Sequence, residues 1–109
     1  MQSAAVVKDR IFQALADPSR RAIFESLTRG EAAVKDITAR FDISQPAISQ
    51  HLAALKDAGL VKGRREGRCV YYRVEPRGMK PLIDWIAHYR VFWTEPVDRL
   101  EQLLKKMDR

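Results

Sequence analysis

The stretch that decides the fold is residues 36–60, DITARFDISQPAISQHLAALKDAGL. Its pattern predicts two short helices joined by a tight turn. Ser44 stands where a helix N-cap belongs, and Pro46 falls in the first turn, where its missing N–H breaks no helical hydrogen bond. Gly59 is placed to end the second helix. The spacing is typical of a helix-turn-helix, which we place at residues 34–59.

The second helix of this pair has two different faces. Ile48, Leu52 and Leu55 recur at steps of four and three, which predicts a buried stripe. The opposite face carries small or uncharged polar side chains where a purely solvent-facing helix would carry Glu and Lys. A helix that enters the major groove of DNA needs short side chains, and hydroxyl or amide groups that pair with base edges. The candidate DNA-binding residues here are Ser44, Gln45, Pro46, Ala47, Ser49, Gln50 and His51.

These side chains suit different contacts with DNA. The two glutamines are the best candidates for reading a base, because an amide can pair bidentately with adenine. The two serines suit a phosphate or a base edge, and the proline and alanine suit thymine methyl groups. His51 flanks the buried stripe, so it either contacts a backbone phosphate or packs inside the protein.

After residue 60 the hydrophobic period changes from helical to strand-like. Residues 60–66 and 68–74 are two short runs that flank Glu66-Gly67, a hairpin turn signal. The arginines of these runs predict a cationic wing, residues 60–75, that contacts phosphates or a narrow minor groove. The alternative is an edge hairpin kept soluble by its charges. The cluster is Arg64, Arg65, Arg68 and Arg73, and the first three are candidate DNA contacts.

Three further helices are predicted before the second helix of the helix-turn-helix, which we call the recognition helix. Apolar residues at positions 7, 11, 12 and 15 form the stripe of the first helix. Asp17 can cap a second helix that starts at Pro18 and ends near residue 30. Arg20 and Arg21 follow the start of this second helix. They either have an internal structural role or contact DNA. Residues 31–34 are a connection, and residues 34–41 are the third helix. The buried positions expected in the second and third helices are Ala22, Ile23, Leu27, Ile37 and Phe41.

From residue 78 onward the apolar side chains trace one long helical stripe. Such a helix outreaches the core, so part of its stripe would face water in a monomer, and large exposed apolar surfaces usually mark a partner. A two-fold homodimer is the simplest assembly. We expect residues 1–16 and 78–107 to be the dimerisation helices, with a kink or break at residues 94–96 because of Pro96. The candidate contacts are Val7, Ile11, Leu82, Trp85, Ile86, Tyr89, Trp93 and Leu100.

Length and composition indicate one folded domain, residues 1–109. The chain has 20 Lys+Arg against 14 Asp+Glu, a net charge of +6 and a pI near 9.8. This charge is compatible with a polyanionic partner, and generic solubility is the alternative. The single cysteine excludes an intramolecular disulfide. We expect a cytoplasmic protein without membrane contact, because no apolar run approaches the ~20 residues that span a bilayer and no signal peptide is visible.

Four motifs together resemble the ArsR family of bacterial winged-helix repressors. They are FQALADPSRR at residues 12–21, SQPAISQHL at 44–52, AGLV at 58–61 and REGRCVYYR at 65–73. The resemblance covers about residues 6–74. It implies a mainly α winged helix-turn-helix in the order α-α-α-α-β-β-α and a homodimer joined through the first and last helices. It also implies repression at an operator near the protein's own promoter and release by an effector. Two-fold symmetry then favours an inverted repeat.

The same resemblance carries a departure that concerns metals. The tail, Trp85 followed by HYRVFW at 88–93, is similar to a subgroup without metal-sensing cysteines. Arsenic- and cadmium-type members carry Cys-x-Cys on the third helix, where this chain has VKDI at 34–37, so no soft-metal site is expected there. The family's second site uses carboxylate and histidine ligands on the last helix. Asp84 and His88 could share a face, but a closed zinc site needs four ligands. A simple surface pair is the alternative, and we expect no metal and no cofactor.

The same residues allow other functions. Trp85, Tyr89, Phe92 and Trp93 are candidates to line a pocket for a small apolar effector at the dimer seam, with simple packing as the alternative. Cys69 either fills a strand position or senses oxidants. An alternative function is a protein-interaction module, in which the C-terminal aromatic stripe binds a different protein. Such a module would not need both the small polar helix face and four wing arginines. An enzyme is not expected, because no nucleophile with a base, glycine-rich phosphate loop or carboxylate pair near a histidine is present. The sequence therefore predicts a regulator that binds double-stranded DNA.

Overall fold

The computed structural model describes residues 4–107, with the side chains of all of them except residues 4 and 93–97. The predicted class, mainly α with a small wing in a winged helix-turn-helix, is confirmed. Within residues 4–107 no helix is both long and apolar enough to cross a membrane. The elements in chain order are α1 Ala4–Ala16, α2 Pro18–Leu27, β1 Ala32–Ala33, α3 Val34–Ala39, α4 Gln45–Asp57, β2 Val61–Glu66, β3 Cys69–Val74, the 3₁₀ turn η1 Pro76–Met79, α5 Lys80–His88 and α6 Arg90–Met107.

Two helices begin at the side-chain caps that the sequence predicts. The Asp17 carboxylate accepts hydrogen bonds from the backbone N–H groups of Ser19 at 2.8 Å and Arg20 at 3.2 Å. The Ser44 hydroxyl accepts one from the N–H of Ala47 at 3.3 Å. These bonds satisfy donors that have no partner inside their own helix, which fixes where α2 and α4 start.

Arg21 has a structural role at the junction of the first two helices. Its Nη1 donates to the carbonyl oxygens of Leu15 at 2.8 Å and Ala16 at 3.2 Å. The last carbonyls of a helix lack intrahelical partners, and a cation at this end also interacts favourably with the helix dipole. Of the two interpretations offered for Arg21, the internal one therefore describes its contacts.

The core forms where α1, α2, α3 and α4 meet. The predicted stripe of α4, Ile48, Leu52 and Leu55, is fully buried. In α2 the buried set differs from the prediction, because Ser26 is buried while Ala22 is only half-buried. The Ser26 hydroxyl donates to the Ile23 carbonyl at 2.8 Å, which removes the penalty for burying a polar group. The other large side chains fully enclosed in the core are Ile11, Ile23, Leu27, Ile37 and Leu60.

The sheet contains one strand more than the sequence predicts. β1 lies in the segment predicted to be a connection and pairs antiparallel with β3, with Ala32 opposite Tyr72 and Ala33 opposite Tyr71. The strand order is therefore β1-β3-β2. Two alanines carry no alternating pattern, so nothing local in the sequence indicates a strand there.

The wing hairpin turns one residue later than expected. Glu66 still pairs with Cys69, so the two turn residues are Gly67 and Arg68. Gly67 has φ of 62°, and no residue other than glycine has positive φ within residues 4–107. Positive φ at only the first of two turn residues is the pattern of a type II′ turn, which suits the twist of a two-residue hairpin.

The C-terminal helical region is interrupted at a different place from the predicted one. α5 ends at His88, Tyr89 adopts φ −102° and ψ 17°, and α6 then continues without a break across residues 94–96. The predicted break at residues 94–96 is therefore wrong, and a kink there stays a prediction. Because α6 starts afresh at Arg90, Pro96 falls in its second turn and removes a single hydrogen bond close to an end that is already short of partners.

A close backbone contact fixes where α5 starts relative to α4. The Glu75 N–H donates to the Leu60 carbonyl at 2.9 Å. A Cβ placed on Gly78 would lie only 1.6 Å from the carbonyl oxygen of Gly59. Only a residue without a side chain permits this approach, so the 3₁₀ turn is held against the C-terminal end of α4.

We expect Gly78→Ala to destabilise the fold because the new methyl group would collide with the Gly59 carbonyl and force backbone movement. Overpacking of this kind typically costs about 1–3 kcal/mol. Denaturant unfolding followed by circular dichroism measures the change. Arg77→Ala, at an exposed neighbouring position, is the control and should stay within about 0.5 kcal/mol of the parent protein. Equal stability of the two variants would contradict the close contact.

Candidate nucleic-acid interface

The candidate interface begins with the outward face of α4. Burial of the opposite face leaves Gln45, Pro46, Ser49 and Gln50 exposed, together with the capping Ser44, while Ala47 is half-buried. None of these side chains carries a charge. The first two turns of α4 therefore present amide and hydroxyl groups on a surface where short side chains let a partner approach the helix closely.

His51 is oriented differently from its neighbours on α4. It is half-buried, and within the described part of the chain its Nδ1 is enclosed without a hydrogen-bond partner. The pKa of the Asp17 carboxyl is lowered chiefly by the hydrogen bond from the Arg20 N–H, then by that from Ser19 and by the charges of His51 and Arg20. His51 therefore lies near the start of α2, which favours packing over the phosphate contact that was the other interpretation.

The wing and the recognition helix face a common cleft of about 210 Å³. From α4 it is lined by Gln45 and Ser49, and from the wing by Arg68 and Cys69. Lys35 of α3 also lines it. The fold thus brings two of the predicted helix residues and one predicted wing arginine to the same opening, with a second cation beside them.

The wing arginines have different surroundings. Arg65, Arg68 and Arg73 are exposed, and no carboxylate forms an ion pair with any of them among the side chains that the structure describes. Arg64, by contrast, is paired with Glu31 and Glu66. Glu31 was not singled out in the sequence, because it lies 33 residues away from Arg64 along the chain and only the three-dimensional fold brings the two together.

A second surface is formed by apolar side chains of the terminal helices. Phe12 of α1 packs edge-on against Trp85 of α5, with ring centroids 5.3 Å apart. Tyr89 follows, 5.1 Å from Trp85. Around these rings Ile86 is 46% exposed and Phe92 is 68% exposed. Others that remain exposed are Val6, Ile83, Val91, Leu100, Leu103, Leu104 and Met107.

Two of the predicted dimer contacts differ from the rest. Ile11 is fully buried in the protomer's own core, so it has no surface to offer a partner. The side chain of Trp93 lies outside the described residues. Val7 and Leu82 are half-buried and pack against the core, which leaves the more exposed neighbours on α1 and α5 to form an outer surface.

The cleft between α5 and α6 is lined by other residues than the aromatic ones. It measures about 540 Å³, and its walls include His88, Arg90, Asp98 and Arg99. The aromatic side chains whose positions are described stack on one another and on α1 instead. This cleft is therefore a different feature from the aromatic effector pocket, which was expected at the dimer seam and stays a prediction.

Asp84 and His88 do not form the surface pair considered for them. The Asp84 carboxylate accepts from Lys80 Nζ at 2.7 Å, while the His88 imidazole packs edge-on against Tyr89 at 4.9 Å. Among the side chains that the structure describes, no three of the metal-binding types His, Cys, Asp and Glu gather around one point. Cys69 is a half-buried free thiol.

Comparison with known proteins places this architecture in a family. Residues 17–62 match the profile described as bacterial regulatory protein, arsR family. The chain is 35% identical to the transcriptional repressor SdpR of Bacillus subtilis, over 74% of this chain and 90% of that protein. It is 41% identical to the HTH-type transcriptional regulator Rv2034 of Mycobacterium tuberculosis, over 88% of this chain and 87% of that one.

A solved structure agrees with these sequence matches. The crystal structure of an ArsR family transcriptional regulator superposes with a TM-score of 0.75 at 32% identity, covering 87% of this chain and 98% of that one. Both the helix-turn-helix and the wing therefore have counterparts in regulators rather than in enzymes. The chain belongs to the ArsR family of bacterial DNA-binding transcriptional regulators.

Proposed function

We propose that the protein is a repressor that binds an inverted-repeat operator as a homodimer and leaves it when an effector other than a metal ion binds. The observation that carries this proposal is the shared cleft, where the uncharged polar start of α4 meets Arg68 of the wing, which has no carboxylate partner among the described side chains. Base-reading groups and a phosphate-binding cation are the two components that sequence-specific recognition needs. The similar protein from Bacillus subtilis is itself named a repressor.

In the proposed complex each protomer lays the start of α4 in a major groove. Gln45 and Gln50 hydrogen-bond base edges, since an exposed amide can both donate and accept. The serines, with Pro46 and Ala47, make the close contacts that short side chains allow. His51 supports α4 from the protein side. Arg65 and Arg68 contact phosphates, which supplies affinity without sequence preference.

The proposed homodimer joins the terminal segments, residues 1–16 and 78–107. Its support is the apolar surface that one protomer leaves uncovered on α1, α5 and α6. The radius of gyration is 17.7 Å, whereas a compact chain of this length would have about 13 Å. The excess arises because α6 extends from the body, and a second copy would cover that extension. The proposed contacts are Val7, Leu82, Trp85, Ile86, Tyr89, Trp93 and Leu100, with Ile11 left out.

The proposed effector is a small apolar organic molecule that binds at the dimer seam. The stacked rings of Trp85 and Tyr89 would form one wall there, and the second protomer would supply the other. Such walls suit apolar ligands, because aromatic side chains bury large areas. A regulator that acts on bacterial DNA would do so in the cytoplasm.

The decisive experiment is selection of bound fragments from random duplex DNA. We expect one inverted repeat to be enriched, with half-site centres about one helical turn, or ~34 Å, apart or a multiple of that distance. Sedimentation of the purified protein should show a dimer at micromolar concentration. Enrichment of sites without two-fold symmetry, or a monomer at that concentration, would contradict the proposal.

A variant of the exposed apolar surface tests dimerisation separately from folding. Ile86→Glu places an unpaired charge in the proposed seam and should weaken dimerisation at least roughly tenfold, because an unpaired charge is costly to bury. Arg29→Glu, in the exposed turn after α2, also introduces a glutamate and should leave the dimer intact. Circular dichroism confirms that both variants are folded.

Gln50→Ala tests base reading by α4. The loss of a bidentate amide should cost about 1–3 kcal/mol on the selected operator and relax the preference at one base position. Fluorescence anisotropy with the operator and its single-base variants measures both effects. Thr28→Ala, at an exposed uncharged residue after α2 and outside α4, the wing and the proposed dimer segments, is the control. Equal weakening on every sequence would show that Gln50 does not read a base.

Arg68→Ala tests phosphate contact by the wing. Binding to every sequence should weaken, and the slope of log K against log salt should become shallower by about 0.9 for each phosphate that the variant no longer neutralises. Titrations at several salt concentrations measure this slope. Arg29→Ala removes an exposed arginine from a different part of the surface and should leave it unchanged. An unchanged slope for Arg68→Ala would place that arginine off the DNA.

A further inference from the structure

One row of residues crosses the whole sheet on its outer face. Ala33 of β1 is paired with Tyr71 of β3, and Tyr71 is paired with Arg64 of β2. Glu31 comes two residues before Ala33, so the alternation of a strand places it on the same face. Arg64 and Glu31 thus belong to opposite edges of the sheet, with the tyrosine between them.

Arg64 spans this row with three contacts. Its Nε donates to the Glu31 carboxylate, and its Nη1 donates to Glu66 Oε2 at 2.7 Å. Its Cζ lies 4.6 Å from the centre of the Tyr71 ring, within the range of a cation–π interaction. The two carboxylates, Glu66 first and then Glu31, raise the pKa of Arg64 above its usual value. A planar guanidinium can make all three contacts at once because its donors diverge.

These contacts occupy the guanidinium of Arg64. Arg64 and its two carboxylate partners together carry a charge of −1, and although Lys62 and Arg73 line the same recess, Arg64 itself could contact a phosphate only by giving up its ion pairs. Arg68 lies at the tip of the same hairpin without a carboxylate partner among the described residues. The two arginines are therefore suited to different tasks, although they are four residues apart.

The position of Glu31 indicates what the contacts do. Glu31 immediately precedes β1, and β1 leads directly into α3, the first helix of the helix-turn-helix. Arg64 belongs to the far strand of the wing. A bridge between them ties the outer edge of the wing to the chain that enters the helix-turn-helix, and so restrains the angle between wing and recognition helix.

We propose that Arg64 is a positioning residue that holds the wing at its DNA-binding angle through Glu31, Glu66 and Tyr71, and that it is not itself a DNA contact. This inference rests on the proposed DNA-binding function. It replaces the sequence-based expectation that Arg64 contacts DNA together with Arg65 and Arg68.

The expected effects are modest because exposed ion pairs are weak. Arg64 and its partners remain partly exposed, so the fold does not depend on them. Removal of the bridge should weaken operator binding by roughly three- to tenfold, as expected for two exposed ion pairs and one cation–π contact.

Two substitutions give opposite results for a bridge and for a phosphate contact. Glu31→Gln removes a negative charge; near DNA this alone would strengthen binding, whereas removal of the bridge weakens it. Arg64→Lys keeps the charge, so a phosphate contact would largely survive, whereas a single ammonium cannot replace the forked and stacked guanidinium. We expect both variants to weaken binding, with the slope of log K against log salt changed by less than about half a unit. The double variant should be no weaker than either single one.

Arg29→Lys is the matched control, because it makes the same exchange in the exposed turn after α2, away from α4 and the wing, and should retain parental affinity. Tighter binding by Glu31→Gln, or parental affinity of Arg64→Lys, would overturn the inference. Amide hydrogen exchange of residues 61–74 without DNA provides an independent readout. Faster exchange in both bridge variants, and not in Arg29→Lys, supports the bridge; unchanged exchange in the bridge variants overturns it. If the parental protein binds no operator, the proposed function fails, and the exchange measurement still tests the bridge.

Discussion

The proposed DNA-binding surface depends on one packing constraint, the burial of a single stripe of α4. Ile48, Leu52 and Leu55 are fully enclosed, and burial of each such side chain contributes about 1.5–3 kcal/mol. Rotation of α4 about its axis by one residue would bring these side chains into water. The rotation of the helix is therefore fixed by hydrophobic burial, and the orientation of Gln50 and its polar neighbours follows from it without any contact of their own.

Local charge is distributed less simply than the net charge of +6 indicates. On the outer face of the sheet Arg64 is offset by Glu31 and Glu66, whereas Arg68 at the tip has no such partner in the described part of the chain. A count of wing arginines overestimates the cations that are free to meet phosphate. The relevant quantity is the number of guanidinium groups without a carboxylate beside them, and this number depends on the pairing of strands.

The parts of the fold that could be predicted are those set by short-range chemistry. The caps at Asp17 and Ser44 and the buried stripe of α4 follow from residues within one or two helical turns. β1 could not be predicted, because Ala32–Ala33 becomes a strand only through pairing with β3. The pairing of Glu31 with Arg64 depends on that same strand and was missed for the same reason. The interruption at Tyr89 has neither glycine nor proline to signal it, whereas the visible proline at residue 96 is accommodated within α6.

The contact between Gly59 and Gly78 joins the two proposed working surfaces of the molecule. Gly59 follows the end of α4, and Gly78 precedes α5, so the recognition helix and the first of the C-terminal helices meet backbone to backbone. No side chain at this point can absorb a movement of one helix relative to the other. In the proposed dimer, a ligand at the seam that shifts α5 would displace the end of α4 as well. Because an inverted repeat requires a fixed spacing between two recognition helices, even a small displacement at this contact would reduce affinity for the operator.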